Sequence, residues 1–485
     1  MSLRSVAVLF VLAFAAGCVG APSVQPASVV APSLAPAHLL SYDGNGTLLA
    51  SPPDELAGGL TFVERLLKNR GGEPNIGVDP KGNVFVTANN NVMKSSDHGK
   101  TWSIVFNLTT AFPSAVQGTP LYDYTRSSDS MLWVDPITGR VFADFMTSLL
   151  CSNMVISSDA GASWTMKPMT CGLPVNDHQK VMTAPFAKGD GALPASPIYP
   201  DVVYYCYNKL LDTHCAVSFD GGETFPVDRP ITNAAFNECG GINGHPAPAP
   251  DGTVYVPINL GCAGPVVVVT TDNGLTWTVQ NGPTKTGAEE IDPDITVTPD
   301  GTAYMLYRGA DHLQYLVRSH DKFKTWSGPW RVSPPDVKST VFTVITSLED
   351  GRIAMAYLGN RDTTDEPSKA GNTTRWHLFV TYSTDAASAE PTFTTQQATP
   401  DDDPLQIGCV WLGGGGNPCR NMLDFIDMTA DPDGRVFVAV TDGCTDGCAH
   451  NTAAKDTDSH KRDGGVYVLD AGPSLLAAKG KLSPP

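Results

Sequence analysis

The chain has 485 residues, with 46 Gly, 39 Pro, only 17% charged residues and a formal charge of −18. That composition suits many short strands joined by turns better than long helices, and the length allows two or three average domains or one large repeat fold. The negative charge repels nucleic acid and anionic membrane surfaces, which argues against nucleic-acid binding.

The first twenty residues, MSLRSVAVLFVLAFAAGCVG, carry one Arg and then an apolar run from Val6 to Ala16. The run is too short for a stable membrane span and has the length of a signal-peptide core. Ala15-Ala16-Gly17-Cys18 resembles a prokaryotic lipobox, which implies cleavage before Cys18 and its lipidation. The alternative is an ordinary secretory signal cut near Ala21. Residues 1–18 are therefore expected to be a signal peptide. Residues 19–54, rich in Pro, Ala and Ser, are expected to be a tether. The folded body is expected over 55–472, with a tail over 473–485. These features predict an exported, monomeric protein held at the cell surface or envelope only through a lipid anchor, or else secreted.

Beyond the tether, one short pattern recurs. SSDHGKTW spans Ser95–Trp102, SSDAGASW Ser157–Trp164, SFDGGETF Ser218–Phe225 and TTDNGLTW Thr270–Trp277. SHDKFKTW, Ser319–Trp326, puts Phe323 in the Gly slot, and STDAASAEPTF from Ser383 is a decayed copy. The Asp residues (Asp97, Asp159, Asp220, Asp272, Asp321) can accept backbone N–H groups inside a tight turn. Gly supplies a positive φ, and the aromatic residues (Trp102, Trp164, Phe225, Trp277, Trp326) are apolar plugs. None of these tasks needs a substrate, so the boxes read as scaffold. The pattern resembles that of the Asp-box (BNR-repeat) β-propellers, the sialidase-like group.

A hairpin precedes each box. Inner strands are expected from Glu73, Ser130, His178, His245, Asp292 and Phe342, and a seventh from Asp424, each followed by a turn and a Val- and aromatic-rich strand. Self-similarity at this spacing predicts an all-β propeller of seven four-stranded blades, with six as the alternative and the Asp boxes at the C–D turns. The seventh unit lacks an outer strand after Gly464–Asp470. Gly59–Leu67 is expected to supply it from the N-terminal side, leaving no open edge.

This topology assigns the A–B and C–D turns to one end of the disc, here the bottom. The B–C and D–A loops fall at the top. Removing Cys18 leaves ten cysteines, an even number that in an exported chain suggests five disulfides. Sequence-near pairs are the simplest arrangement: Cys151–Cys171, Cys206–Cys215, Cys239–Cys262, Cys409–Cys419 and Cys444–Cys448. All ten map to the top, consistent with long loops braced into a binding surface. Cys444, Cys448, His450 and His460 in the last loop fit zinc spacing poorly.

The same register gathers polar residues at the starts of the inner strands. They are Glu73, Asp129, Asp177, His178, Asn243, His245, Asp292, Asp294, Asp424 and Asp427, with Arg308 among several top-face arginines. Such a rim suits sugar hydroxyls or a hard cation such as Ca²⁺, and no cofactor is otherwise indicated. Each of these residues could equally cap a turn.

The family resemblance implies a three-arginine clamp for a sugar carboxylate, a Tyr–Glu nucleophile pair and an acidic Asp. In GGEPNI, Gly71–Ile76, Pro74 matches the family's Arg-Ile-Pro motif, but Gly72 stands where its Arg should be. Tyr122, Tyr124, Glu289 and Glu290 are the residues that could supply the nucleophile pair. Three functions remain open. One is binding of a glycan or surface protein without chemistry; the others are glycoside hydrolysis and service as an envelope scaffold or assembly factor.

Overall fold

The computed structural model describes residues 38–111, 129–147, 149, 151–170, 176–188, 193–209, 212–232, 242–258, 265–283, 292–413, 417, 419–445 and 462–485. Cys18, Tyr122, Tyr124, Arg126, Cys171, Cys239, Cys262, Glu289, Glu290 and Cys448 lie outside those residues.

Seven antiparallel sheets are present, and six follow chain order from an innermost strand A to an outer strand D. Blade 1 comprises Ile76–Val78, Val84–Ala88, Asn91–Ser95 and Ser103–Asn107. Blade 2 comprises Ser130–Val134, Val141–Thr147, Cys151–Ser157 and Thr165–Pro168. Blade 3 follows with Asn176–Pro185, Asp201–Lys209, Asp212–Ser218 and Val227–Pro230. Blade 4 is built from Ala247–Pro248, Val254–Ile258, Val266–Thr270 and Thr278–Asn281, and blade 5 from Asp294–Val297, Ala303–Arg308, Gln314–Ser319 and Ser327–Arg331. In blade 6 the strands are Ser339–Glu349, Arg352–Asn360, Arg375–Ser383 and Thr392–Gln397.

Blade 7 closes the ring. Asp427–Ala430, Val436–Asp442 and Asp463–Pro473 are its inner three strands, and Thr61–Arg70 pairs with the third as its outer strand. The expected closure is therefore observed, and seven blades rather than six are present. Joining the two ends of the propeller in one sheet removes the exposed edge that an open ring would present.

The core is a set of seams between neighbouring blades. Along a strand, successive side chains face opposite ways, so each middle strand feeds two seams. Val84 and Val86 face blade 7, while Phe85 between them faces blade 2. Tyr204 and Tyr205 divide in the same way toward blades 4 and 2. Seven such clusters link every adjacent pair around the circle. Val84, Phe85 and Val86 are fully buried, and each such side chain contributes about 1.5–3 kcal/mol.

The Asp boxes are the fold's fasteners. In blade 1 the Ser95 hydroxyl donates to Asp97 Oδ1 (2.7 Å) and accepts from the Gly99 N–H (2.8 Å). Asp97 also accepts from the Thr101 N–H (2.9 Å) and hydroxyl (2.7 Å). The carboxylate contacts recur at Asp159, Asp220, Asp272 and Asp321. The decayed copy keeps them too: Asp385 accepts from the N–H and hydroxyl of Thr392, seven residues on. Trp102, Trp164, Phe225, Trp277 and Trp326 each pack into the seam with the preceding blade. Phe323 holds φ 60° in the Gly slot, and its buried ring, edge-on to Tyr255 at 5.8 Å, offsets that strain.

The box turns meet the A–B turns at one end of the disc. Ser96 bonds Asn83 (2.6 Å), Asn273 accepts from the Ala187 N–H (2.7 Å), and Lys322 pairs with Asp251 (3.0 Å). Of the described cysteines, Cys409, Cys419 and Cys444 lie on the opposite connections and Cys151 begins a strand there. Cys206 and Cys215 instead face each other within paired strands of blade 3. Cys206–Cys215 and Cys409–Cys419 are disulfides as expected. Cys151 and Cys444 are also disulfide-bonded.

The terminal segments differ from expectation. The proposed tether would run to residue 54, yet Leu39–Asp43 is a fifth strand on blade 6, paired with Thr392–Gln397. Tyr42, fully buried, enters the seam between blades 5 and 6 and its hydroxyl bonds Thr395 Oγ1 (2.6 Å). A five-residue strand inside a Pro- and Ala-rich stretch carries too little periodicity to be seen in sequence. At the other end, Lys481–Leu482 pairs with Gly472–Pro473, so the expected tail is part of blade 7.

Candidate functional site at the channel mouth

The inner strands surround the propeller axis, and their top ends bring the predicted polar residues together in two groups. The first lies on the side of blades 7, 1 and 2. Glu73 and Asp129 sit on adjoining strand starts that meet in a parallel bridge. Their carboxyl groups share a hydrogen bond. Burial, then the charges of Asp129 and Asp424, raises Glu73 far above the usual carboxylate range. Asp424 forms a bidentate pair with Arg420, with one contact at 2.6 Å. Arg462, which the sequence reading passed over, lies within electrostatic reach of Arg70, Glu73, Asp129 and Arg420. Burial is the main cause that lowers its pKa to about 10.

The second group crosses the axis. His178 on blade 3 reaches Asp292 at the entrance to blade 5, Nδ1 to Oδ1 3.1 Å, with both side chains buried. Burial disfavours the imidazolium, but the charge and hydrogen bond of Asp292 outweigh it and push the His178 pKa up to about 9. Burial likewise opposes ionisation of Asp292, and His178 and Lys180 overcome it, leaving that carboxyl lowered. The reach of His178 depends on a β-bulge between Asp177 and Lys180, where its φ is 45°. A bulge re-aims a side chain that regular alternation would send elsewhere.

Lys180, only 3% exposed, places its Nζ 3.3 Å from His245 Nε2 and 3.7 Å from the centre of the Phe425 ring. Burial, then Lys180's charge, drives His245 well below its ordinary pKa, so it is neutral and can accept that bond. Its Nδ1 then faces Asp427 Oδ1 at 3.7 Å. Lys180 and Phe425 were missed in sequence. Lys180 is two residues beyond His178, a spacing that could have flagged it; Phe425 gives no signal.

Asp294 and Asp427 were counted with the rim, but both serve as staples between blades. Asp294 Oδ2 accepts the Ile345 N–H of blade 6 (2.8 Å), and Asp427 Oδ2 accepts the Ile76 N–H of blade 1 (2.9 Å). Asn75 does the same toward Leu132 of blade 2 (3.2 Å). Burial raises Asp294 strongly and Asp427 to about 7. Asp177 bonds the His178 N–H (2.9 Å). Arg308 is buried where blade 5 meets blade 6, against the Thr340 carbonyl.

Two further top-face arginines stand apart. Arg361 pairs with Asp336 (2.5 Å), and Arg375 donates to the Asp401 carbonyl (3.3 Å). Among the described residues no group of three or more His, Cys, Asp or Glu is arranged to hold a metal ion, so the Ca²⁺ expectation gains no support. Among the described residues, several buried acceptors around the mouth have no hydrogen-bond partner: Glu73 Oε1, Gln179 Oε1, Asn243 Oδ1 and Asp292 Oδ2.

Residues 206–438 match the family described as BNR repeat-like domain, a span running from the second strand of blade 3 to the second of blade 7. No curated protein matches the chain. Among solved structures, YCF48 bound to D1 peptide aligns at 14% identity, covering 69% of this chain and 86% of that one, with a TM-score of 0.40. The intramolecular trans-sialidase from Ruminococcus gnavus aligns at 14% identity, covering 85% and 95%, with a TM-score of 0.38. An Aleuria aurantia lectin aligns at 8% identity, covering 70% and 99%, with a TM-score of 0.40. Likenesses at this level carry no functional argument.

Proposed function

We propose that this protein is an exported, lipid-anchored propeller that binds a neutral, hydroxyl-rich glycan at the top of its axis. The observation that carries this reading is a set of buried acceptors on four blades, Glu73, Gln179, Asn243 and Asp292, that have no partner among the described residues. A buried acceptor without a donor costs about 1–3 kcal/mol, and sugar hydroxyls are donors that recover it. An anionic sugar suits the site less well. Arg420 is committed to Asp424 and is further drawn to Glu73 and Asp129, so its charge is already balanced. The Cys409–Cys419 disulfide braces the connection between blades 6 and 7. Attachment through Cys18 would need a second acyl chain for stable anchoring.

The test is a glycan array of neutral and sialylated sugars probed with the full chain. Neutral glycans should be bound, and Asp292→Asn should weaken that binding about tenfold or more. Silence from a folded protein, or binding confined to sialylated sugars, would refute the reading. Cys18→Ser should move the protein from the membrane fraction to the soluble one.

A second reading, glycoside hydrolysis, is favoured by the hydrogen-bonded carboxyl pair of Glu73 and Asp129, in which burial raises both groups above the ordinary carboxylate range. Turnover of fluorogenic glycosides that disappears in Glu73→Gln would replace binding with catalysis.

A further inference from the structure

Below the polar group that crosses the axis, the channel holds a cavity of about 380 Å³. Its walls mix apolar residues of the inner strands, such as Ile76, Leu132 and Ile295, with polar ones, such as Thr296, Ser347 and Thr429. Exposure changes along its length. At the bottom end Pro136 is exposed and Val78, Val297, Leu348 and Ala430 are partly so; at the inner end Lys180, His245 and Asp294 are buried. The cavity therefore opens on the Asp-box face and is closed above by the polar group. It is a separate compartment from the upper mouth.

The hydrogen-bonding balance at the inner end is one-sided. Asp294 accepts the N–H of Ile345 and of Ile295, and Asp427 accepts those of Ile76 and Met428, so both carboxyls are occupied by backbone. Lys180 has three N–H donors. Among the described residues its one hydrogen bond is to His245 Nε2, and Phe425 covers a second side of the ammonium with its ring. Donor capacity remains, on a cation at the end of a cavity with both apolar and hydroxyl-bearing walls. Volumes of this order hold small organic ligands whose few polar groups fix orientation.

We infer that this cavity is a second binding site, entered from the Asp-box face, for a small organic carboxylate whose charged head meets Lys180 and whose apolar body lies along the inner strands. Just above, Asp292 is hydrogen-bonded by His178 and also feels the Lys180 charge, so the hydrogen-bonding capacity of Lys180, not an unshared charge, is what a ligand would meet. The inference does not depend on the glycan reading, because the two sites open at opposite ends.

Calorimetric titration of the full chain with hexanoate and phenylacetate, against hexanamide and phenylacetamide, tests it. The carboxylates should bind saturably and the amides about tenfold or more weakly. Lys180→Met, checked for an unchanged circular dichroism spectrum, should abolish that preference. Val297→Trp, which narrows the bottom entrance and leaves Lys180 in place, should weaken carboxylate binding while glycan binding at the top is retained. Equal affinity for amides and carboxylates, no binding of any probe, or carboxylate binding indifferent to both substitutions would overturn the site.

Discussion

The two ends of the disc use the same residue, aspartate, in opposite ways. At the bottom, Asp159 is open to water and surrounded by donors; bonds from the Ser163 hydroxyl, the Ser163 N–H and the Ser157 hydroxyl hold its pKa down to about 2. At the top, Asp292 is buried, one of its oxygens lacks a partner, and it stays ionised only because His178 and Lys180 stand beside it. The bottom arrangement recurs blade after blade with the same contacts, whereas each top residue occurs once. Repetition with satisfied bonds marks scaffold. Single copies held at an electrostatic cost mark a place where something other than folding has been selected, since removing such groups from an interior is often neutral or stabilising.

The largest way to break this contrast is Asp292→Asn. It leaves a buried imidazolium unpaired, so stability should fall by about 3–5 kcal/mol unless His178 releases its proton. Histidine NMR titration should show the His178 pKa dropping from about 9 to below 6.5, and glycan binding should weaken as well. An unchanged titration would mean that Asp292 does not hold that proton.

Asp97→Ala, at the other end, should lower the melting temperature by about 2–4 °C and leave the affinity of both proposed sites unchanged. A loss of affinity with no change in melting temperature would make the boxes functional and erase the distinction between the ends.

The smallest effect sharpens the comparison through pH. Burial raises Asp144 and Asp427 to about 7 and, with Asp403's charge adding to it, Glu64 to about 7 as well. In each the native state keeps a proton that the unfolded chain has lost above about pH 4. Stability from these groups is therefore greatest at and below that pH and declines as pH rises toward 7. The depressed box carboxylates act the other way, losing their contribution only as pH falls below about 4. The melting temperature should be higher at pH 5 than at pH 8, and Asp144→Asn should flatten that decline. An Asp144→Asn decline no flatter than the parent's would show that Asp144 is ionised in the folded protein.

Much of this architecture was legible in the residues alone. The repeated Ser-x-Asp-x-Gly box, the hairpin before it and the orphan strand Gly59–Leu67 were enough for blade number, closure and the sorting of turns and cysteines to opposite ends. These features are local or periodic, and local spacing is what a sequence displays. The strand Leu39–Asp43 escaped because it is short and lies in a composition that signals disorder. Asp294 and Asp427 were grouped with the rim because strand register tells how deep a residue sits. It does not tell whether a neighbouring blade's N–H will occupy its carboxyl.

The sequence by itself determined the repeat, the ring and the end of the disc at which each loop emerges, because strand alternation and turn chemistry act over a few residues. Only the tertiary structure decided which charges meet across the axis. His178 joins a residue 114 positions away, and Lys180 lies against Phe425 through the closure of seven sheets. Such pairings depend on where a ring closes and on a single bulge. Both arise from packing between blades rather than from any pattern within one.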